Sequence, residues 1–424
     1  MQVPSPIVFR RVAILLVVFV TGVFAQTVTP IQHVVFIIKE NRSFDHVFGT
    51  FPGANGATQG MVSSGAIIPL RHAPDKEGTY SHLWSATRKA IDGGKMDRFD
   101  TSVACKSPGY TCYDQYQEAD IPNYFALARN YLLADNFFTS LTGPSFPNHQ
   151  YIIAAQSGNA ISNPSHPVKH SNGCDNPTSL VQVIDPATGK ISKVPPCFEY
   201  ATLGDLLDSA GISWRSYSPS YGQGGYEWMA FNAINHIRNG PDWAARIVNV
   251  SQFEADALSG NLPAVSWVIP RGPDSEHPTA LMSVGENWTV SLVNAVMAGP
   301  QWNSTAIFIT WDDHGGFYDH VPPPQNDYFG YGPRVPLLIV SPFVQAGTVY
   351  HGVASFESVL AFIEANWSLP SLTARDANAN NLMDAFNFSA NTPAHRLELR
   401  NLPPQSPKER RAIDHQLELH PEDD

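Results

Sequence analysis

Four short apolar runs, rich in β-branched residues, constrain the fold of this chain more than any other feature. They cover residues 33–38, 264–269, 305–310 and 336–340, and each is followed closely by polar residues. Near-continuous apolar runs of strand length are typical of strands buried on both faces of a parallel sheet. The runs therefore predict the central strands of such a sheet.

Helical patterns lie between and after these runs. They cover residues 121–131, with Pro122 in the first turn, and residues 203–210, which end at Gly211. Two more amphipathic patterns cover residues 290–297 and 356–367. Alternating strands and helices predict an α/β fold, with a parallel sheet flanked by helices on both faces. Ligands of such sheets bind at the carboxyl ends of the strands, where three of the runs meet acids or histidines.

The first 25 residues have the pattern of a signal peptide. Arg10 and Arg11 precede a short apolar run at residues 12–20, and Val23-Phe24-Ala25 is an acceptable cleavage site. The alternative is a membrane anchor, but the run is short for a span. We expect an exported protein, periplasmic or secreted, with a catalytic domain at residues 26–390. Residues 391–424 are predicted to form a charged tail, helical or frayed.

Charge and cysteine content narrow the functional classes. The formal net charge of −12 argues against binding to nucleic acid, which requires a basic surface. No stretch after the signal peptide is long and apolar enough for a stable membrane span.

Four cysteines in an exported protein predict two disulfides, for which three pairings exist. We favour the local pairing, Cys105 with Cys112 and Cys174 with Cys197.

The first polar segment covers residues 39–46, directly after the first run. Glu40 and Asn41 offer a carboxylate and an amide oxygen, which are ligands that a hard cation prefers. The alternative is a helix start in which Asn41 or Ser43 caps the helix and Asp45 occupies the first turn. The segment alone does not decide between these interpretations.

The second segment, residues 310–320, contains three acids and two histidines within nine residues. Asp312 and Asp313 are adjacent, and neighbouring carboxylates repel each other unless a cation or a proton lies between them. His320 closes the segment. We favour a metal or catalytic site here over a solvated turn.

The third segment, residues 142–149, holds Ser145 between two prolines. We expect a rigid turn that suits a positioned nucleophile, with a structural proline turn as the alternative. The GxSxG pattern of serine esterases is absent from the sequence, which disfavours a Ser-His-Asp esterase. His82 and His277 are single histidines, which are often merely packed or hydrogen-bonded. They are candidate site residues only because the three polar segments are also present.

Together the segments resemble the bacterial phosphoesterase family that contains the non-haemolytic phospholipases C and the AcpA-type acid phosphatases. The resemblance extends from residue 33 to about residue 390 in the family's order. Its most specific parts are ENRSFDH at residues 40–46, GPSFPN at residues 143–148 and DDHGGFYDHVPPP at residues 312–324. It implies an alkaline-phosphatase-like fold.

The resemblance also implies roles for individual residues. The family's metal ligands match Glu40, Asn41, Asp312 and Asp313, and its nucleophile matches Ser145. Histidines around the phosphate match His82, His277 and His320. Oxygen and amide ligands favour Ca²⁺, Mg²⁺ or Mn²⁺. We expect a hydrolase of phosphate esters or phospholipid head groups, of the phospholipase C or acid phosphatase type. The alternative is an exported protein that binds metal or phosphate without turnover.

Overall fold

The computed structural model describes Met1, residues 26–165 and residues 168–419. The predicted signal peptide therefore lies, apart from Met1, outside the described residues. Within the described ranges, we find no helix with the length and apolar character needed to cross a membrane.

Eight strands form one large sheet with the order β11-β10-β12-β1-β13-β14-β6-β15, and the other strands pair in four small two-stranded sheets. The strands are β1 (His33–Lys39), β2 (Gln59–Met61), β3 (Ile67–Pro69), β4 (Arg71–His72), β5 (Asp114–Gln115), β6 (Leu132–Ala134), β7 (Phe137–Phe138), β8 (Val181–Ile184), β9 (Ile191–Val194), β10 (Trp214–Ser218), β11 (Ile247–Asn249), β12 (Val265–Val268), β13 (Thr305–Trp311), β14 (Leu337–Val340), β15 (Thr348–Tyr350) and β16 (Ala354–Ser355).

All four predicted strands are present in this sheet. β1 lies between β12 and β13 and runs parallel to both, in a register that places Val34 beside Val265 and Ala306. β14 departs from the prediction of a parallel sheet because it runs antiparallel to both β13 and β6. The sheet is therefore mixed. An apolar run shows that a strand is buried, but it does not reveal the direction of the strand.

The helices are α1 (Phe44–Phe48), α2 (Trp84–Ile91), α3 (Pro122–Asn130), α4 (Ser145–Ala154), α5 (Leu203–Ser209), α6 (Asn235–Arg238), α7 (Pro241–Arg246), α8 (Phe253–Ser259), α9 (Met282–Ala298), α10 (Phe356–Trp367), α11 (Ala374–Ala377) and α12 (Pro407–Leu419). The predicted helices correspond to α3, α5, α9 and α10. α9 begins earlier than predicted, since its first two turns carry buried polar residues that obscure the apolar pattern.

Helices cover both faces of the sheet, as predicted. On one face, the ring of Phe308 lies 5.3 Å from that of Phe362 in α10, and the Trp267 indole donates a hydrogen bond to a backbone carbonyl of α4. On the other face, Lys39 Nζ donates to the Gly285 carbonyl of α9, and the Trp311 ring lies 5.5 Å from that of Tyr124 in α3. The predicted α/β class is confirmed.

Both predicted disulfides are present. Cys105 is bonded to Cys112, and Cys174 is bonded to Cys197. Each bond closes a short loop outside the large sheet, so the local pairing favoured from the sequence is confirmed.

The predicted C-terminal tail contains a docked helix, α12. Leu417 is buried, and the Thr279 hydroxyl donates a hydrogen bond to Gln416 Oε1 at 2.9 Å. Gly272 lies directly under the helix, where an added Cβ would come within 2.8 Å of Leu417. α12 thus covers the segment that follows β12. The domain boundary at residue 390 remains a prediction.

Candidate active site

The site forms where β1 and β13 end side by side. Lys39, the last residue of β1, pairs with Trp311, the last residue of β13. An acid follows each strand directly: Glu40 comes after β1, and Asp312 comes after β13. Asn41 adopts a left-handed backbone conformation with φ of 60°, and its N–H donates to Asp312 Oδ1 at 2.9 Å. Strained backbone of this kind is concentrated at functional sites.

The structure brings together all four predicted metal ligands and adds a histidine. We call this group the strand-end cluster; its members are no more than 2% exposed and are Glu40, Asn41, His149, Asp312 and Asp313. Three carboxylates held in such burial carry a large desolvation cost unless positive charge lies nearby. The group therefore has the composition of a cation site.

Ser145 opens α4 and lies against the strand-end cluster. Its hydroxyl donates a hydrogen bond to Asp313 Oδ2 at 3.1 Å, and the residue is 2% exposed. The expected proline turn is in fact the start of a helix, with Pro144 as the N-cap residue and Pro147 in the first turn. Both positions tolerate proline, since N–H groups of the first turn have no partner within the helix.

His82 orients the Asn41 side chain. Its Nδ1–H donates to the Tyr80 carbonyl at 2.8 Å, so in the neutral ring Nε2 is an acceptor. Asn41 Nδ2 donates to that Nε2 at 3.1 Å, and Asp313 Oδ2 lies 3.5 Å from it. The predicted catalytic His82 thus lies beside two predicted metal ligands and within 3.5 Å of the carboxylate that Ser145 contacts.

The amide of Asn41 fits the role of a cation ligand. Because Asn41 Nδ2 is hydrogen-bonded to His82, Asn41 Oδ1 faces away from that histidine. This buried oxygen has no hydrogen-bond partner among the described residues. The loop after Asp313 approaches closely at Gly315, where an added Cβ would lie 2.4 Å from the Asn41 carbonyl. Gly315 N–H donates to Asp313 Oδ1 at 2.7 Å, which fixes that carboxylate.

His277 follows β12 and is buried against Trp228, with ring centroids 5.8 Å apart in a stacked arrangement. Burial is the main cause that lowers the pKa of His277, to about 3, although Asp312 acts in the opposite direction. His277 is therefore neutral at neutral pH in the absence of a bound anion. His314 is also buried, and burial lowers its pKa to about 3 as well.

A buried ion pair supports the loop that carries His277. Lys39 Nζ lies 3.3 Å from Glu276 Oε1, and neither side chain is exposed. Glu276 also accepts hydrogen bonds from the Tyr124 hydroxyl and the Trp311 indole. Burial lowers the pKa of Lys39 and raises that of Glu276, while their mutual attraction opposes both shifts. The network ties this loop to the ends of β1 and β13.

His149 is the site residue that the sequence reasoning missed. It lies four residues after Ser145 on α4, with Nε2 3.1 Å from Glu40 Oε1 and 3.5 Å from Asp312 Oδ2. Burial would raise the pKa of Asp312, but the charge and hydrogen bonding of His149 hold it below its usual range. The i, i+4 spacing places Ser145 and His149 on one helix face, a signal hidden by the prediction of a turn.

His320 lies in a different group, which we call the arginine cluster: Asp45, Asp319, His320 and Arg334. The Nδ1 atom of His320 lies 2.7 Å from Asp45 Oδ2. Arg334 is fully buried and forms a bidentate pair with Asp319 through Nε and Nη2, at 2.9 and 3.0 Å. Partial burial disfavours the charged imidazole, yet Asp45 raises the pKa of His320 above its ordinary value. A catalytic role for His320 remains a prediction.

Comparisons with known proteins identify the family of this chain. Residues 31–370 match the model of the Phosphoesterase family. A non-hemolytic phospholipase C of Pseudomonas aeruginosa is 27% identical over 85% of this chain and 57% of its own length. Phospholipase C B of Mycobacterium tuberculosis is 26% identical over 85% of this chain and 78% of its own. The chain thus spans little more than half of the Pseudomonas relative.

A solved structure, described as a protein in the alkaline phosphatase superfamily from Vibrio parahaemolyticus, is also similar. It is 11% identical, with a TM-score of 0.38, and the match covers 84% of this chain and 71% of that one. The family match over residues 31–370 includes both strand ends, Ser145 and the loop of His277. The chain belongs to the Phosphoesterase family.

Proposed function

We propose that this protein is an exported, metal-dependent phosphoesterase that hydrolyses phosphate esters through Ser145. One observation carries the proposal: the Ser145 hydroxyl lies 3.1 Å from Asp313, in a buried group of three carboxylates and an amide. A hydroxyl at a helix start beside a cation site is suited to attack phosphorus. Names of relatives support the same class, since they are called phospholipases C.

Glu40, Asn41, Asp312 and Asp313 would hold the cation. Their oxygens suit a divalent ion, and Asn41 Oδ1 is oriented for one by the hydrogen bond between Nδ2 and His82. When bound, the ion would supply positive charge to the phosphate oxygens and favour the ionised form of the serine hydroxyl.

The hydrogen bonds around Ser145 provide a path for its proton. As Oγ forms a bond to phosphorus, its proton leaves along the hydrogen bond to Asp313 Oδ2, which lies 3.5 Å from the acceptor Nε2 of His82. The bond from phosphorus to the leaving oxygen breaks, and His82 returns the proton to that oxygen. Attack by water on the phosphoserine then releases phosphate or the phosphorylated head group and restores Ser145.

His277 would bind the phosphate rather than act first as an acid. With a pKa of about 3, it is a neutral imidazole that can donate one N–H to a phosphate oxygen. Its stacking on Trp228 fixes the plane of the ring. Preorganised donors of this kind stabilise the charge of the transition state.

We propose that the substrate is a phosphomonoester or a phospholipid head group and that the protein acts outside the cytoplasm. Two disulfides support an oxidising compartment. The names of the relatives favour phosphodiesters such as phospholipids. The formal net charge of −12 argues against nucleic-acid substrates.

A single assay tests the proposal. Release of p-nitrophenol is measured from p-nitrophenyl phosphate and from p-nitrophenyl phosphorylcholine, with and without a chelator. We expect turnover of at least one ester, loss of turnover with chelator, and a reduction of about 10⁴-fold or more in Ser145→Ala. The melting temperature of Ser145→Ala should stay near that of the wild type. Metal binding without turnover of any phosphate ester would instead favour the non-catalytic alternative.

A further inference from the structure

We propose that His149 supplies a nitrogen ligand to the cation of the strand-end cluster and thereby makes the site selective for a borderline first-row transition ion. The inference rests on the proposed function, which requires a cation but does not specify its kind. It departs from the prediction from the sequence, which considered only oxygen ligands and therefore favoured Ca²⁺, Mg²⁺ or Mn²⁺.

Helix α4 delivers His149 to the cluster. Ser145 is its first residue and His149 its fifth, so both side chains project from one face of the helix towards the ends of β1 and β13. His149 is 2% exposed. The same rigid element therefore positions the nucleophile and the imidazole, and neither depends on a mobile loop.

The distances agree with ligation of one ion. His149 Nε2 lies 3.1 Å from Glu40 Oε1 and 3.5 Å from Asp312 Oδ2, and the three ligand atoms lie within 4.8 Å of one another. Two donors that each lie about 2.1 Å from an ion are roughly 3.0–3.4 Å apart in octahedral or tetrahedral geometry. The three atoms thus surround a position that an ion can occupy after small adjustments.

The chemistry of the donors decides which ion is favoured. Ca²⁺ and Mg²⁺ take oxygen ligands, whereas neutral imidazole suits zinc, iron and other first-row ions. A site with one imidazole, two or three carboxylates and an amide oxygen should therefore favour Fe²⁺, Co²⁺ or Zn²⁺ over Ca²⁺ and Mg²⁺. An ordinary ion pair between a protonated His149 and its two carboxylates is the alternative, and it predicts no metal–nitrogen bond.

Pulsed EPR of the Mn²⁺-loaded protein separates these alternatives. We expect a ¹⁴N hyperfine coupling from a bound imidazole in the wild type and its loss in His149→Gln. His320→Gln is the matched control, since His320 also lies against a carboxylate but belongs to the arginine cluster; it should retain the coupling. Persistence of the coupling in a folded His149→Gln, or its absence from the wild type, would overturn the proposal.

Calorimetric titrations with Zn²⁺ and Mg²⁺ provide the second measurement. His149→Gln should weaken Zn²⁺ binding by about 100-fold or more, and Mg²⁺ binding by less than about tenfold. Equal losses for both ions, or tighter binding of Mg²⁺ than of Zn²⁺ by the wild type, would contradict the inference. If the Gln variant does not fold, His149→Asn is used in its place.

Ser145→Ala distinguishes failure of this inference from failure of the proposed function. That variant should keep the ¹⁴N coupling and lose turnover. Retained turnover in Ser145→Ala would defeat the serine mechanism and leave the metal assignment standing. Loss of turnover in Ser145→Ala, with an unchanged coupling in His149→Gln, would defeat only the assignment of His149.

Discussion

The strand-end cluster and the arginine cluster contain similar residues but balance their charge differently. Each holds buried carboxylates and a histidine, and each takes its carboxylates from the segments that follow β1 and β13; the histidine of the strand-end cluster comes from α4. Every N–H group of the Arg334 guanidinium donates a hydrogen bond. The acceptors are carboxylate oxygens of the arginine cluster and two neighbouring backbone carbonyls, at distances between 2.7 and 3.3 Å. In the strand-end cluster, the carboxylates lie beside histidines instead: His82 is 3.5 Å from Asp313, and His149 is 3.1 Å from Glu40 and 3.5 Å from Asp312.

This difference in charge is the physical reason for the different roles that we propose for the two clusters. A buried carboxylate is stable when a permanent positive charge and directed hydrogen bonds accompany it, and Arg334 provides both to Asp319. Histidines provide only a conditional charge and leave lone pairs directed inwards. We therefore interpret the arginine cluster as the anchor of the loop at residues 312–320, and the strand-end cluster as the site that takes up an ion.

The largest effect should follow from removal of the positive charge of Arg334. Arg334→Met leaves Asp319 buried without its charged partner and leaves Asp45 with His320 alone, so the free energy of unfolding should fall by about 3–5 kcal/mol. Urea denaturation of the wild type and the variant measures the change. A matched control is Arg129→Met, which removes an exposed arginine paired with Glu118 and should cost less than about 1 kcal/mol. Equal losses in the two variants would remove the distinction between the clusters.

Removal of the ion should have the next largest effect. An ion present at 100 to 1,000 times its dissociation constant stabilises the folded protein by about 2.7–4.1 kcal/mol, which a chelator should abolish. Thermal denaturation with and without chelator measures this loss. The control His320→Gln should show the same loss, because the arginine cluster holds its own cation. Insensitivity of the wild type to chelator would place the two clusters in one structural class.

A smaller effect is expected when a carboxylate of the strand-end cluster is neutralised. Asp312→Asn relieves repulsion from Glu40 and Asp313, but it also removes the ionised group that His149 stabilises. Because the pKa of Asp312 is held below its usual range, the second effect is the larger one, and the metal-free variant should be less stable than the metal-free wild type by about 1–2 kcal/mol. Its metal affinity should also fall, and calorimetry with and without the ion measures both quantities. A more stable metal-free variant would show that repulsion among the carboxylates outweighs the interaction with His149.

The smallest effect concerns pH. The pKa of His320 is raised in the folded state by Asp45, so the charged imidazole adds stability at pH values below about 6.5, its unfolded pKa. This contribution should be lost as the pH rises through the higher folded pKa. It should amount to less than about 1 kcal/mol, since His320 is only partly buried. Urea denaturation between pH 6 and 9 should show the decline in the wild type but a weaker one in His320→Gln.

The sequence predicted what depends on local pattern and missed what depends on distant packing. The apolar runs located β1, β12, β13 and β14, and the three acids and one amide that follow β1 and β13 are four members of the strand-end cluster. The antiparallel direction of β14 and the partners of Arg334 are decided by contacts between segments far apart in the chain. His149 was missed because the prolines around Ser145 were interpreted as a turn, whereas they lie at the start of a helix. Without a predicted helix, the four-residue spacing between Ser145 and His149 had no structural meaning.

The central position of β1 has a consequence for how the protein is made. β1 is synthesised early, but its two neighbours, β12 and β13, follow more than half the chain later, in a register that places Val34 beside Val265 and Ala306. Until then the growing chain carries an unpaired, strongly apolar strand, which is prone to aggregation. Folding with such distant pairing is slow. We therefore expect biogenesis of this protein to depend on chaperones that shield residues 33–39.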